Sequence, residues 1–304
     1  MKETTKNIPA SILARLRNQS TVINRPYTEV LQYFAMERFL YRLSKTNYAE
    51  KFVLKGGLLF YVWNLSMRRP TKDIDFRGYV SSDSDNLHKI IKTVIEVSAP
   101  EDGLVFDSQS VSVEETQIDA DYVGIRIKLI ALLERTRIPL QIDIGFSDEL
   151  ASKAELVEYP NILPDFKSAQ MRSYPKEAVV AEKFHAMIRH AQLNSRMKDY
   201  YDLWLILQTF EFESSNLQKA IEITFKKREE TLPTERPIGL TAEFGENNQS
   251  SWENFLEKSS LGFDEISDFV QIIEKIWGFL QHPLLASTNG EWSSRKWHAS
   301  KGWK

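Results

Sequence analysis

The pair Gly56-Gly57, the acidic alternation Asp73-Ile74-Asp75-Phe76 and its distant counterpart Gln141-Ile142-Asp143-Ile144-Gly145-Phe146 decide how this chain is read. Successive side chains of a strand face opposite sides at a rise of about 3.3 Å, so Asp73 and Asp75 share one face roughly 6.6 Å apart. Ile74 and Phe76 share the other. In the second segment Leu140, Ile142, Ile144 and Phe146 line one face, and Gln141, Asp143 and Gly145 the opposite one. Two such strands as neighbours would gather three carboxylates, each pair repelling by about 4 kcal/mol at 4 Å and an effective dielectric near 20. Divalent cations relieve that repulsion, and magnesium is the natural guest. The ordinary alternative for a lone Asp-x-Asp is a half-buried strand with its acids in water. Here the argument for chemistry is the combination with what surrounds the acids.

Upstream, Phe52-Val53-Leu54 reads as a strand, Lys55-Gly56-Gly57 as its turn and Leu58 to Leu65 as a helix leaving it. A strand, glycines and a helix start make a phosphate cradle, because unpaired backbone N–H groups point at what docks there. A tight turn with no ligand is the competing reading. Met67-Arg68-Arg69-Pro70-Thr71-Lys72 then delivers a basic loop in front of Asp73. Arg68, Arg69, Thr71 and Lys72 are candidates for holding a triphosphate or an RNA backbone, since arginine matches phosphate in a bidentate way. A solvated charge run is the plain alternative.

Bulk properties bound the rest. At 304 residues and 42% hydrophobic the chain can bury a large core in two domains or one elaborated domain. A net charge of −3 argues against wholesale adhesion to nucleic acid, so a polynucleotide partner would need a local basic patch. The absence of cysteine excludes disulfides and thiolate metal sites, and fits a reducing, cytoplasmic setting. Met1 to Arg17 has no apolar signal core, and the longest oily run, Gly56 to Leu65, falls far short of the roughly 20 residues that span a bilayer. No membrane segment and no internal repeat is expected.

Taken in order, residues 8–18 and 27–44 read as helices, the second with Leu31, Phe34, Ala35, Phe39 and Leu43 at helical spacing behind a Thr28 cap. Residues 85–97 read as a helix, 105–113 as a strand, and 122–133 with 138–146 as a strand pair. Periodicity lapses over 147–170, with Pro160 and Pro164, which places a domain boundary at 165/166. Helices are expected again at 174–192, 197–209, 214–231 and 263–282, with a loop over the polar stretch 232–251. Lys183 stands at the edge of the stripe Val180, Phe184, Met187 and Ala191, while Asp199 and Asp202 border the seam of the next helix. A snorkelling lysine and exposed helix ions such as Lys198 with Asp202 are the bland readings. The tail interleaves Trp292, Trp297 and Trp303 with Arg295, Lys296, His298, Lys301 and Lys304, a pattern that serves base stacking or plain packing against the helices.

Five motifs in order carry a resemblance. Leu54-Lys55-Gly56-Gly57, Arg69-Pro70-Thr71-Lys72-Asp73-Ile74-Asp75-Phe76, Gln141-Ile142-Asp143-Ile144-Gly145-Phe146-Ser147-Asp148, Ala181-Glu182-Lys183-Phe184 and Arg196-Met197-Lys198-Asp199-Tyr200-Tyr201-Asp202-Leu203 resemble the AbiEii/AbiGii toxin nucleotidyltransferases. The resemblance covers about residues 50–210. It implies an α+β nucleotidyltransferase-like fold: a mixed sheet with flanking helices over residues 1–165, then a helical domain over 166–304 contributing to the active-site cleft.

It also implies an enzyme that moves NMP from an NTP to an acceptor such as the 3′ end of tRNA. Such an enzyme is the toxin of a toxin–antitoxin or phage-defence pair. By motif, Asp73 and Asp75 would hold Mg2+ or Mn2+, Asp143 would be the third carboxylate, and Lys183 with Asp199 the downstream essential pair. Lys55, Gly56, Gly57, Lys198 and Asp202 join the basic loop as substrate contacts. One departure stands out: Leu58 follows Gly57 where such enzymes show serine. A metal-dependent nuclease and an inactive nucleotide- or RNA-binding module are the alternatives.

Overall fold

Period-two alternation on the strands and helical spacing on the segments that cover them build the first part of the molecule. The computed structural model describes residues 7–65, 70–119, 122–146, 153–190, 196–259, 261, 266–290 and 294–304. The chain divides into a unit of Met1–Leu150 with Ala154–Tyr174 and a second made chiefly of Pro175–Lys304. The first holds α1 (Ile8–Val22), α2 (Tyr27–Ser44), β1 (Phe52–Lys55), a single turn α3 (Leu59–Val62), β2 (Asp73–Gly78), α4 (Ser84–Ile95), β3 (Leu104–Asp119), β4 (Tyr122–Leu133), β5 (Thr136–Phe146), β6 (Glu155–Tyr159) and β7 (Ala169–Ser173). The second holds α5 (Lys176–His190), α6 (Met197–Thr209), β8 (Phe212–Glu213), α7 (Ser214–Lys227), α8 (Ala242–Lys258), α9 (Phe269–Asn289), β9 (Lys296–His298) and β10 (Gly302–Trp303).

Seven strands form one mixed sheet in the order β3-β4-β5-β2-β1-β7-β6. β2 runs parallel to β5 and antiparallel to β1, while β4 and β5 form a hairpin. Its turn is two residues, Glu134 and Arg135, with Leu133 opposite Thr136 and Glu134 in the left-handed region at φ 56°. Ile74, Phe76, Ile142, Ile144, Ile125 and Ile127 are buried and share one face. α2 packs on β5 and β7, and α4 on β3. The expected fold class, a mixed sheet with flanking helices followed by helices, is what the chain adopts.

Some expectations fail for identifiable reasons. β6 lies in the stretch read as aperiodic, and β7 starts at its end. They are five residues each, and β7 pairs parallel with β1 from far along the chain, a contact local pattern does not announce. α8 replaces an expected loop. Its buried Phe244, Trp252 and Leu256 are spaced too sparsely among polar residues to signal a helix, and Thr241 caps it by accepting from the Phe244 N–H at 3.2 Å. The helix expected over 58–65 is only the single turn α3, and Pro26 occupies the N-cap position of α2 where Thr28 was expected. The described part of the tail is packing: β9 and β10 extend β8 into a three-stranded sheet. Trp297 and Trp303 donate to Leu207 and Phe279 carbonyls at 2.8 and 2.9 Å. Trp292 lies outside the described residues. Among the described residues no helix is long and apolar enough to cross a membrane.

α2 carries buried charge as well as apolar residues. Arg42 forms a bidentate pair with Asp102 at 2.7 and 3.0 Å, pinning the helix to the start of β3. Breaking a buried pair of this kind costs about 3–5 kcal/mol. Glu37 is fully buried, 3.0 Å from the Arg38 Nε, and accepts the Ile162 N–H at 2.7 Å. Burial nevertheless dominates, and the Glu37 carboxyl is pushed up to about 7 against the charge of Arg38. An acid whose folded-state pKa is raised stabilises the fold fully below its unfolded value, and that contribution fades as pH rises toward the folded one. Urea unfolding is therefore expected to show the first unit losing stability, on the order of 3 kcal/mol, between about pH 4.5 and 7. Glu37→Gln is expected to flatten that slope, and an unchanged slope in the variant would assign it to another group.

Candidate functional site

Register delivers the site. In the β2–β5 ladder Asp75 is paired with Asp143 and Asp73 with Gln141, while Lys55 of β1 is opposite Asp75 and Arg126 of β4 is opposite Asp143. Directly paired residues put their side chains on the same face. Four neighbouring strands thus present a row of Lys55, Asp75, Asp143 and Arg126, cation, acid, acid, cation, on the face opposite the apolar core.

Asp73, Asp75 and Asp143 each offer a carboxylate oxygen, and these three atoms lie within 4.8 Å of one another. Asp73 and Asp75 are half-buried and Asp143 is buried. The Arg126 Nε donates to Asp143 Oδ1 at 2.9 Å and its Nη2 to Oδ2 at 2.8 Å; Gln141 Nε2 lies 3.2 Å from Oδ2 and 3.4 Å from Oδ1. The hydrogen bond to Asp143 holds the Arg126 guanidinium above its ordinary pKa, and the charges of Asp143, Asp73 and Glu114 add to it against partial desolvation. A carboxylate has about four lone-pair positions, so the arginine leaves Asp143 with capacity for a further ligand. Clustered hard oxygens suit a hard divalent cation, and Asp73, Asp75 and Asp143 fit one.

The surroundings of the acids position them. The Thr71 hydroxyl donates to Asp73 Oδ1 at 2.9 Å, and the Thr71 N–H donates to the Tyr33 hydroxyl at 3.0 Å. Gln32 Nε2 reaches the Lys72 carbonyl at 2.9 Å. α2 thereby ties down the chain entering β2. Thr71 is buried with its hydroxyl turned to Asp73, and Lys72 is exposed. Arg68 and Arg69 lie outside the described residues, as do Ser147 and Asp148 of the third motif. Lys55, Gly56 and Gly57 are half-buried. Gly56 has φ +71°, and a Cβ there would overlap the Asp75 carboxylate. The glycine that reads as part of a phosphate cradle makes room for an acid.

In the second unit α5 and α6 bring together Lys183, Asp199 and Asp202. Lys183 Nζ donates to Asp199 Oδ1 at 2.8 Å and Asp202 Oδ2 at 2.7 Å, and Arg196 Nε lies 3.0 Å from Asp199 Oδ2. Asp199 and Asp202 are buried; Lys198 is exposed. Burial alone would raise the Asp199 pKa, but Lys183, Arg196 and Lys198 together outweigh it and hold the carboxyl below its ordinary value.

Arg126 and Gln141 are the contacts that the sequence reading did not select as site residues. A signal existed: Ile125, Ile127 and Leu129 alternate with Arg126 and Lys128, and a two-residue turn after Leu133 puts Arg126 opposite Asp143. The two strands read as a pair, but Glu134-Arg135 is not a typical hairpin dipeptide, so the register was not legible.

The family profile described as "Nucleotidyl transferase AbiEii toxin, Type IV TA system" matches residues 38–275. No curated protein matches the chain. Among solved structures, JHP933 from Helicobacter pylori aligns at a TM-score of 0.49 and 14% identity over 86% of this chain and 95% of its own. A candidate nucleotidyltransferase from H. pylori aligns at 0.46 and 15% over 84% and 94%.

Gly56→Ala combines a left-handed backbone, which costs an ordinary residue roughly 1–2 kcal/mol, with displacement of the Asp75 carboxylate. Chemical denaturation is expected to show a loss of at least about 1 kcal/mol, accompanied by loss of whatever activity depends on Asp75. A variant with unaltered stability would contradict the described backbone.

Proposed function

Because the chain belongs to the AbiEii family of nucleotidyl transferase toxins of type IV toxin–antitoxin systems, we propose that it transfers NMP from an NTP to a hydroxyl at the 3′ end of tRNA, the hydroxyl oxygen bonding to the α-phosphorus as the bond to the β-phosphate breaks and pyrophosphate leaves. It would do so in the cytoplasm, as the toxin of an antitoxin-controlled or phage-defence pair. The observation that carries this reading is the convergence of Asp73, Asp75 and Asp143 on one face of neighbouring strands, within reach of a shared cation.

Mg2+ or Mn2+ held by these three residues would supply charge stabilisation of the attacking and leaving oxygens. Asp143 would take the proton of the attacking hydroxyl as general base. Thr71 and Gln141 keep Asp73 and Asp143 oriented through the contacts given above. Lys55, Gly56, Gly57, Arg68, Arg69 and Lys72 receive the triphosphate and the acceptor backbone. Lys183 neutralises triphosphate charge, with Asp199 and Asp202 fixing its ammonium, and Lys198 contributes a solvent-exposed cation for the acceptor. Where a hydroxyl-bearing residue would follow the glycines, Leu58 is buried, so phosphate contacts fall to backbone and the basic residues.

Labelled tRNA incubated with magnesium and each NTP in turn tests the reaction. The product is expected to lengthen with one of them; shortening would make the protein a nuclease, and no change an inactive binding module. Asp75→Asn is expected to lower transfer by about 10³-fold or more while the melting temperature holds, in line with losing one preorganised charge contact. Full transfer by that purified variant would end the assignment of Asp75.

A further inference from the structure

Three carboxylates are not the whole charge of the row. Asp73, Asp75 and Asp143 carry −3 and Lys55 with Arg126 carry +2, leaving a formal charge of −1 at the place where a doubly charged ion is to sit. Arg126 is the cation directly engaged with a metal-ligating candidate. It is 32% exposed, bidentate to an Asp143 that is 7% exposed, and its charge is felt by Asp73 as well.

Resting on the nucleotidyl-transfer reading above, we propose that Arg126 is a positioning residue that lowers the affinity of the carboxylate cluster for a bare divalent cation. Strong retention of metal is thereby left to the moment when a triphosphate adds its own negative charge.

Two effects of Arg126 oppose each other. Its fork orients Asp143, which favours binding, while its charge repels an ion placed among the same oxygens, which disfavours it. Orientation has a second support, because the Gln141 amide also lies at 3.2 and 3.4 Å from the two Asp143 oxygens. Repulsion from Lys55 remains, but Lys55 stands opposite Asp75, and the charge facing Asp143 goes with Arg126. A unit charge a few ångströms from a doubly charged ion acts strongly even in a partly hydrated site, so the charge effect wins and removing Arg126 tightens binding.

The neighbouring pair of Lys128 and Glu114, 2.9 Å apart, is half-exposed and neutral as a pair, and it does not reverse the balance. The consequence is a site that does not fill with metal alone and pairs cation retention with nucleotide.

Mn2+ titration of the whole chain without nucleotide, followed by the electron-spin-resonance signal of the free ion, is the test. Arg126→Gln is expected to bind Mn2+ about tenfold more tightly than wild type at low ionic strength, a gap that narrows in high salt as screening demands. Arg126→Lys, which keeps the charge and loses the fork, is expected to stay within about twofold of wild type; Arg126→Met serves as a second neutral variant should Arg126→Gln fold poorly. A non-cleavable NTP, with its own Mn2+ binding measured in a protein-free blank, is expected to bring wild type and Arg126→Gln together.

Equal or weaker binding by both neutral variants, while Asp75→Asn still abolishes Mn2+ binding, overturns the role of Arg126 and leaves the metal site standing. Absence of Mn2+ binding by every protein, wild type included and with nucleotide present, overturns the metal site and this role with it.

Discussion

Like charge held at close range is the constraint on which the first unit depends. Three carboxylates with oxygens within 4.8 Å of one another repel by something between about 1 and 4 kcal/mol per pair, depending on how much water screens them. The other face of the same strands offsets this. Phe76, Ile74, Ile142 and Ile144 are all but fully buried, and truncating one such large side chain to alanine costs about 2–5 kcal/mol. The period-two alternation that puts acids on one side is the same feature that puts oil on the other, so the strand cannot escape the repulsion without giving up its core. Lys55, Arg126, Thr71 and Gln141 then moderate the strain locally.

Gly56 shows how far the backbone is shaped by that demand. Its left-handed φ and missing side chain leave the volume that the Asp75 carboxylate occupies, so a turn and an acid nineteen residues apart in the chain are one steric unit. The hydrogen bonds from α2 extend the same logic. Tyr33 and Gln32 hold the entry to β2 through Thr71 and Lys72, which makes a helix far from the chemistry part of its geometry.

Much of this was legible from local pattern. The strand character of residues 73–76 and 140–146, the acids' shared face, α2 and the 197–209 helix follow from periodicities of 2 and 3.6, which need only neighbouring residues. What escaped was set at a distance. Arg126 becomes a site residue through the register of a hairpin whose turn carries no glycine or asparagine, and β7 enters the sheet beside β1 across most of the first unit. α8 escaped for a different reason: three buried residues, Phe244, Trp252 and Leu256, suffice to dock it, with Trp252 stacked on Phe269 at 4.9 Å. Trp297 and Trp303 were compatible with stacking on bases, and residue type alone could not separate that from their actual packing on α9 and the end of α6.

The two charge clusters differ in a way that bears on their roles. Lys183 and Arg196 face Asp199 and Asp202, two cations against two acids, and the acids are buried. A balanced, buried cluster holds its own geometry, and replacing one partner leaves an uncompensated charge in a medium that solvates it badly. The cluster on β2 and β5 is half open and keeps a net negative charge after its own cations are counted. Closed balance makes a clamp between α5 and α6; open imbalance makes a place for an external cation. The Lys183 ammonium is held between two carboxylates at 2.8 and 2.7 Å. The net-negative row, by contrast, leaves negative charge that an added cation would balance.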